Sequence, residues 1–309
     1  MNHLHRSLSG LVALGLVMTA STAFAKGNVD GALKFVPSDF STVVAFDLDA
    51  LRASPLFDVV KTAVKDDREM KEVQKATGLD PLKDIKSMVI AGPDQFIKDE
   101  GKFVAVLEAK FDEKKIVDFM KSQGQVTEKD APGGKLYVIE DGGVAFRGDY
   151  LVAGPMGLVE KALAAGKGIP GGKLAKMYGS MKGAKGGFVL LGGSEQLKKW
   201  LAKRSGKGGP DFKDIEAMGV AVDLSGGGLG VEMHAAFASD KSASDLAAGV
   251  SAAAKEAAGD PDMKELGLAG PISKVSATAK GKEAVVAVKL AKDDMKTITE
   301  MLKEMVSGK

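Results

Sequence analysis

A phrase of nine residues that occurs twice constrains the fold of this chain more than any other feature. Its first copy, Asp80–Met88, has the letters DPLKDIKSM and runs into the apolar Val89–Ala91. Its second copy, Pro210–Met218, has the letters PDFKDIEAM and runs into Gly219–Val222. The shared core is an apolar residue, Lys-Asp-Ile, two variable positions and Met, repeated 130 positions later. Self-similarity of this kind predicts an internal duplication.

The first 25 residues have the features of a cleaved secretory signal. A short basic start that includes Arg6 is followed by the apolar run Leu11–Met18, which is too short to span a bilayer. Ala23 and Ala25 then place small residues where a signal peptidase cleaves, before Lys26. We therefore expect a periplasmic location, with release outside the cell as the alternative. No later stretch is apolar for long enough to predict a transmembrane segment.

The composition of the mature chain excludes several classes of protein. Residues 26–309 are enough for one large domain or two modest ones. Without Arg6 the chain has 42 basic and 41 acidic side chains, interspersed, so the balance of charge does not favour binding to nucleic acid. The chain has no cysteine and therefore no disulfide.

The hydrophobic pattern of the first half predicts alternating strands and helices. Strands are expected at Thr42–Phe46, Met88–Ala91 and Lys102–Phe111, followed by a three-stranded meander that begins at Leu136. The glycine-rich segment Gly166–Lys173 is predicted to be a loop that ends this half.

The second half repeats this order. It begins with a strand at Phe188–Leu191 and a helix capped by Ser194, whose apolar face is Leu197, Trp200 and Leu201. The last helix carries Met295, Ile298 and Leu302, and these match Met156, Val159 and Leu163 at a constant offset of 139 positions.

These patterns predict an α+β fold of two similar modules that arose by internal duplication. The modules are residues 26–170 and 171–309, after a signal peptide of residues 1–25. Each is expected to be a mainly antiparallel sheet with helices packed on one face, because consecutive strands are joined by short turns. The pattern leaves open whether the modules share one sheet or form two separate domains.

The segment that contains the first copy of the phrase resembles a known group of proteins. Val36–Asp39, Asp47–Leu51, Ser54–Phe57 and Thr77–Pro81 are similar to exported proteins of unknown function in Gram-negative bacteria. The resemblance covers Val36–Asp84. It implies an exported protein and no activity.

Two aspartates at the end of the first strand are candidate catalytic or metal-binding residues. Asp47 and Asp49 form a D-x-D pattern that can present two carboxylates to a metal or to acid–base chemistry. The alternative is that Asp49 caps the following helix and Asp47 points into solvent. Gly192 and Ser194 occupy the corresponding positions of the second half, so the cap is repeated and the paired charge is not. This comparison favours the cap.

Glu232 and His234 form the second candidate site. His234 is the only histidine of the mature chain, and it alternates with Met233 and Ala235, so it faces away from the apolar side of its strand, beside Glu232. Such a pair could activate a serine or threonine, or it could be an ordinary pair on the solvent side of a sheet. One histidine without cysteine excludes zinc sites that need several such ligands, and we predict neither a metal nor a cofactor.

The sequence therefore favours a non-enzymatic binding or scaffolding protein of the cell envelope. Its expected partner is an envelope protein or a small apolar ligand. The first alternative is a hydrolase or metal-dependent enzyme that uses Asp47, Asp49, Glu232 and His234. The second alternative is a peripheral lipid-handling protein that uses an amphipathic helix such as Met295–Val306.

Overall fold

A computed structural model describes residues 29–64, 67–93, 102–166, 168–169, 171–181, 183–204 and 211–307. The predicted signal peptide, residues 1–25, lies outside these ranges, as does Pro210 of the second phrase. Both halves of the chain contribute to one sheet of twelve antiparallel strands. The fold is thus α+β, as the sequence predicts.

The strands follow one another across the sheet in the order β11-β12-β10-β9-β8-β1-β2-β3-β7-β6-β5-β4. Their bounds are β1 (Thr42–Asp47), β2 (Ser87–Gly92), β3 (Val104–Glu108), β4 (Val126–Ala131), β5 (Gly134–Ile139), β6 (Gly142–Arg147), β7 (Tyr150–Pro155), β8 (Gly186–Gly192), β9 (Ile215–Asp223), β10 (Leu229–Phe237), β11 (Ser276–Lys280) and β12 (Glu283–Leu290). The first half supplies β1–β7 and the second half supplies β8–β12.

The helices connect these strands. Their bounds are α1 (Val29–Leu33), α2 (Leu48–Arg52), α3 (Phe57–Val64), α4 (Arg68–Thr77), α5 (Pro81–Asp84), α6 (Glu113–Gln123), α7 (Met156–Leu163), α8 (Gly172–Met181), α9 (Glu195–Arg204), α10 (Asp240–Gly259), α11 (Pro261–Glu265), α12 (Ala269–Ser273) and α13 (Lys292–Ser307). No helix in the described ranges is long and apolar enough to cross a membrane.

Helices cover both faces of the sheet, so the expectation of helices on one face is wrong. The first face carries Val44 and Phe46 and is packed by α2, α3, α4, α6, α9, α10 and α13. The second face carries Val43 and Ala45 and is packed by α1, α7 and α8. Because successive residues of a strand point to opposite faces, the fully buried central strands can support a core on each side.

The two halves meet where β1 pairs with β8. Val44 lies opposite Val189, with Val43 opposite Leu190 and Ala45 opposite Phe188. On their other sides β1 pairs with β2 and β8 pairs with β9. The question that the sequence leaves open is thus answered for the described residues: the halves share one continuous sheet.

The repeated phrase leads into the second strand of each half. Ile85 and Ile215 are each 1 % exposed, and Met88 and Met218 are also buried. The two copies differ locally, because Asp80 caps the short helix α5, whereas Lys213 follows Asp211 in a turn. The isoleucine and the methionine of both copies therefore belong to the core.

The last helices of the two halves lie on opposite faces. In α7, Val159 is buried in the core of the second face, whereas in α13, Met295 is buried in the core of the first face and the helix packs on α3. The match between these helices in sequence therefore does not reflect a shared position in the fold. Between β8 and β9 the only described helix is α9, and it does not reach the part of the first face around Val222. α13 covers that part instead, and its Met295 belongs to the same core as Val222.

Candidate functional site

Asp47 and Asp49 hold the start of α2. Asp47 is 5 % exposed, and its Oδ1 accepts a hydrogen bond of 2.8 Å from the backbone N–H of Ala50. Asp47 is therefore the N-cap, and the prediction that Asp49 is the cap is wrong, because α2 begins directly after β1 at Leu48. Asp49 lies in the first turn of the helix, where negative charge is favourable.

Asp49 also forms an ion pair that ties α2 to the repeated phrase. Its Oδ1 is 2.5 Å from Nη2 of Arg52. The same guanidinium donates to the backbone carbonyls of Leu82 and Ile85, each at 2.9 Å. Both carboxylates of the D-x-D pattern thus have structural partners, and neither faces the other across an open site.

Glu232 and His234 lie side by side on the second face of β10. Nε2 of His234 is 3.6 Å from Oε2 of Glu232, which is too long for a hydrogen bond. The His234 side chain is 15 % exposed and that of Glu232 is 42 % exposed. Among the described residues, Nε2 of His234 is buried without a hydrogen-bond partner.

The two candidate pairs do not converge. His234 lies opposite Gly219 of β9, Gly219 opposite Leu190 of β8, and Leu190 opposite Val43 of β1. His234 is thus three strands, about 14 Å, from Val43. Asp47 lies four residues further along β1, at the end of the strand. The Glu232–His234 pair is therefore a separate candidate site.

Two neighbouring cavities lie beside α8 on the second face, and we call them together the α8 groove. The first has a volume of about 230 Å³ and the second about 370 Å³. His234 lines the first, Glu232 lines the second, and Ser180 lines both. Met177 and Ala236 supply apolar side chains to the first cavity. The second contains Asp223 and Lys289, so a ligand with one apolar end and one polar end would fit the groove.

Small residues on β9 create the α8 groove by letting α8 approach the sheet closely. A Cβ atom on Gly219 would lie 2.8 Å from Sδ of Met177 and from Cε of Met181, closer than packed atoms allow. On either side of Gly219, Ala217 and Ala221 are also buried. The helix therefore sits low on β9 and forms one wall of a groove whose floor is β10.

The sequence carries a signal for α8, because the spacing of Met177 and Met181 predicts a helical segment with both side chains in the core. Leu174, Met177 and Met181 are all buried, and their spacing is typical of one helical face. The predicted loop Gly166–Lys173 contains only the first two residues of α8, Gly172 and Lys173.

Charged side chains line the mouth of the α8 groove. Lys173 forms an ion pair with Glu216, and Lys176 forms one with Glu283. Lys282 at the first cavity and Lys289 at the second have no ion-pair partner among the described residues. The groove therefore offers cations to a ligand in addition to the imidazole of His234.

The groove is better equipped for binding than for catalysis. The hydroxyl of Ser180 donates to the backbone carbonyl of Lys176 at 3.1 Å, so its proton is not directed at His234. Within the described ranges, no group of three or more His, Cys, Asp or Glu side chains could hold a metal ion. The arrangement offers hydrogen bonds and charge without an activated nucleophile.

Comparison with known proteins gives distant matches of structure alone. No protein-family model matches the chain, and no curated protein matches it in sequence. Crystal form III of the Treponema protein TP0453 matches with a TM-score of 0.49 and 8 % identity, over 87 % of this chain and 97 % of that chain. Crystal form I of TP0453 matches with a TM-score of 0.48 and 10 % identity, over 88 % of this chain and 97 % of that chain. Matches at this level do not indicate a function.

Proposed function

We propose that this chain is a non-enzymatic binding protein of the bacterial envelope, exported to the periplasm, and that the α8 groove is its binding site. The observation that carries the proposal is that His234 lines the first cavity while its buried Nε2 atom has no hydrogen-bond partner among the described residues. A buried polar atom without a partner is costly, and a ligand atom at hydrogen-bond distance would remove this cost.

We also infer that residues 26–170 and 171–309 are duplicated modules, and the strand registers support this. Val44 and Val189 are 145 positions apart and lie opposite each other, as expected at a two-fold axis between copies. Phe46 lies opposite Met88 in the first half, and Leu191 lies opposite Met218 in the second. Leu191 is 145 positions after Phe46 and Met218 is 130 positions after Met88, the same offsets that the sequence gives for these segments.

The proposed site then belongs to one copy only. Continuing the register across the sheet, Val104 and Val106 of β3 correspond to Glu232 and His234 of β10. Both valines are fully buried in the core of the second face. A buried apolar pair in one copy and a Glu–His pair in the other is the difference expected when one copy has acquired a site.

A difference in helix position accounts for the opening of this site. In the first half, α7 packs on β6 and β7 on the second face. In the second half, α13 has moved to the first face, and no described helix lies over β12 and β11 on the second face. Glu232 and His234 therefore border open surface, where a ligand can enter.

The alternatives have less support from the geometry. A hydrolase needs a nucleophile directed at His234, and the hydroxyl of Ser180 has another acceptor. A lipid-handling role for α13 needs a free apolar face. Met295 is fully buried in the core, and Ile298 and Leu302 pack against that core.

Native mass spectrometry of the mature protein isolated from the periplasm tests the proposal. Ser180→Trp would fill both cavities, and Ala175→Trp places the same side chain on an exposed position of α8 that lines neither. We expect the wild type and Ala175→Trp to carry a bound small molecule and Ser180→Trp to have the mass of the chain alone. A wild-type protein with no added mass, or retention by folded Ser180→Trp, contradicts the proposal.

A further inference from the structure

The strand β11 lies at one end of the sheet and pairs on one side only within the described part of the chain. Its partner is β12, reached through a two-residue turn in which Gly281 has a φ of 56°. In the first half, β6 and β7 are joined in the same way, and Gly148 has a φ of 63°. There, however, β6 also pairs with β5 on its other side. The corresponding side of β11 is open.

The register determines which backbone groups point to this open side. Lys280 and Glu283 close the two-residue hairpin, and a closing pair of this kind exchanges both backbone hydrogen bonds. Bonded and non-bonded pairs alternate along antiparallel strands, so Thr278 is also bonded to β12. The N–H and C=O groups of Ala277 and Ala279 therefore point away from the sheet.

We propose that two copies of this chain pair through their β11 strands, antiparallel, about a two-fold axis at Thr278. In this register Ala277 lies opposite Ala279 of the second copy, and Ala279 opposite Ala277. These are the residues whose N–H and C=O groups point outward, so the two strands can form four backbone hydrogen bonds. Thr278 of each copy forms the non-bonded pair at the centre. A shift of the register by one residue loses this match.

The side chains of β11 suit this pairing. Thr278 meets Thr278 on the second face, a favourable cross-strand pair. Lys280 lies opposite Ser276, so no like charges are directly opposed. The other end of the sheet differs, because β4 carries the exposed Glu128, Lys129 and Asp130. Charged side chains protect an edge strand against pairing, and β11 has none before Lys280.

The helix α10 would extend the contact between the two copies. Five paired residues alone bury less than the roughly 800 Å² per partner of a stable interface. α10 packs on β11 and β12, and its exposed residues include Ala248, Gly249, Ser251 and Ala252. These small residues allow the α10 helices of the two copies to approach each other on the first face.

Cysteine scanning of the mature chain tests the register, because the chain has no cysteine of its own. In the non-bonded pair the Cα atoms of Thr278 are about 4.5 Å apart, within the range of a disulfide. We expect Thr278→Cys to form a disulfide dimer under mild oxidation, whereas Ser276→Cys and Lys280→Cys form one only when the two variants are mixed. Crosslinking of Thr278→Cys no faster than of Ser276→Cys alone overturns the proposal.

Sedimentation of the protein without cysteine gives a second measurement. We expect a dimer for the wild type and a monomer for Ala277→Pro, whose lost N–H points to the open side and is not used within the fold. Glu128→Pro on β4 is the matched edge control, because by the same alternation the N–H of Glu128 points to the open side of β4, and this variant should remain a dimer. A monomeric wild type, including one that pairs only with an added peptide from another protein, overturns self-pairing.

Discussion

At the scale of residues, the two copies of the repeated phrase place the same side chains in different cores. Ile85 belongs to the core of the first face beneath the first half, and Ile215 to a smaller core formed with α9 and α10. Each is 1 % exposed. The pattern Lys-Asp-Ile-x-x-Met is therefore explained by packing, and the polar residues around it form turns and caps.

Substitution of either isoleucine by alanine should destabilise the protein by about 2–5 kcal/mol, because each leaves a cavity in a packed core. Unfolding in urea, followed by circular dichroism, measures the change. Lys213→Ala is a suitable control, since the Lys213 side chain is 89 % exposed. A change near zero for Ile85→Ala or Ile215→Ala would contradict the burial of these side chains.

The aspartates of the D-x-D pattern should contribute unequally to stability. Asp47→Ala removes a helix cap and should cost about 1 kcal/mol or more. Asp49→Ala removes an ion pair whose carboxylate side chain is 54 % exposed, and should cost about 0–1 kcal/mol. The same unfolding experiment compares them. A larger loss for Asp49→Ala than for Asp47→Ala would show that the capping assignment is wrong.

At the scale of elements, most strands and helices could be predicted from the sequence, but their faces could not. Apolar residues at helical spacing identified α9 and α13, and apolar runs identified β1 and β8. β4 was missed, because an exposed edge strand with Glu128, Lys129 and Asp130 lacks the apolar alternation of a half-buried strand. The face that a helix covers depends on contacts distant in sequence, which local periodicity does not record.

Only the local part of the candidate site could be predicted, because local periodicity does not record contacts between residues distant in sequence. Alternation along β10 placed Glu232 beside His234 on the side away from Met233, as the structure has them. Their neighbours in the α8 groove come from α8 and β12, far away in sequence. Trp200 was predicted to pack on the sheet with Leu197, but its side chain is 40 % exposed. It lies at the margin of the helical face that Leu197 buries.

α13 should stabilise the half of the chain to which it does not belong. It packs on α3, and Lys303 lies 3.6 Å from Asp58 of that helix. We expect Met295→Ala to cost about 2–5 kcal/mol and to speed hydrogen exchange of the backbone amides in α3. Lys296→Ala, at an exposed position of α13, serves as the control. Unchanged exchange in α3 would contradict a stabilising contact between the halves.

At the scale of the whole molecule, the sheet joins the halves through β1 and β8, and α13 joins them on the first face. A half on its own would expose the central edge of its sheet and would lose these contacts. We therefore expect that the two modules the sequence suggests do not fold independently.

Neither residues 26–170 nor residues 171–309 should fold when expressed alone. Two-dimensional NMR spectra of the separate halves should lack the amide dispersion of the intact chain, because the central strand of each half would lose one partner strand. Mixing the two halves should restore part of that dispersion. A well-dispersed spectrum from either half alone would contradict this expectation.

The pairing of β1 with β8 also affects the order of folding. These strands meet across 145 positions of chain, and contacts of such large separation form slowly. During synthesis the first half is made before β8, so the inner edge of β1 has no partner strand until more than half of the chain has been made. In that interval the unpaired edge of β1 makes the chain most prone to aggregation.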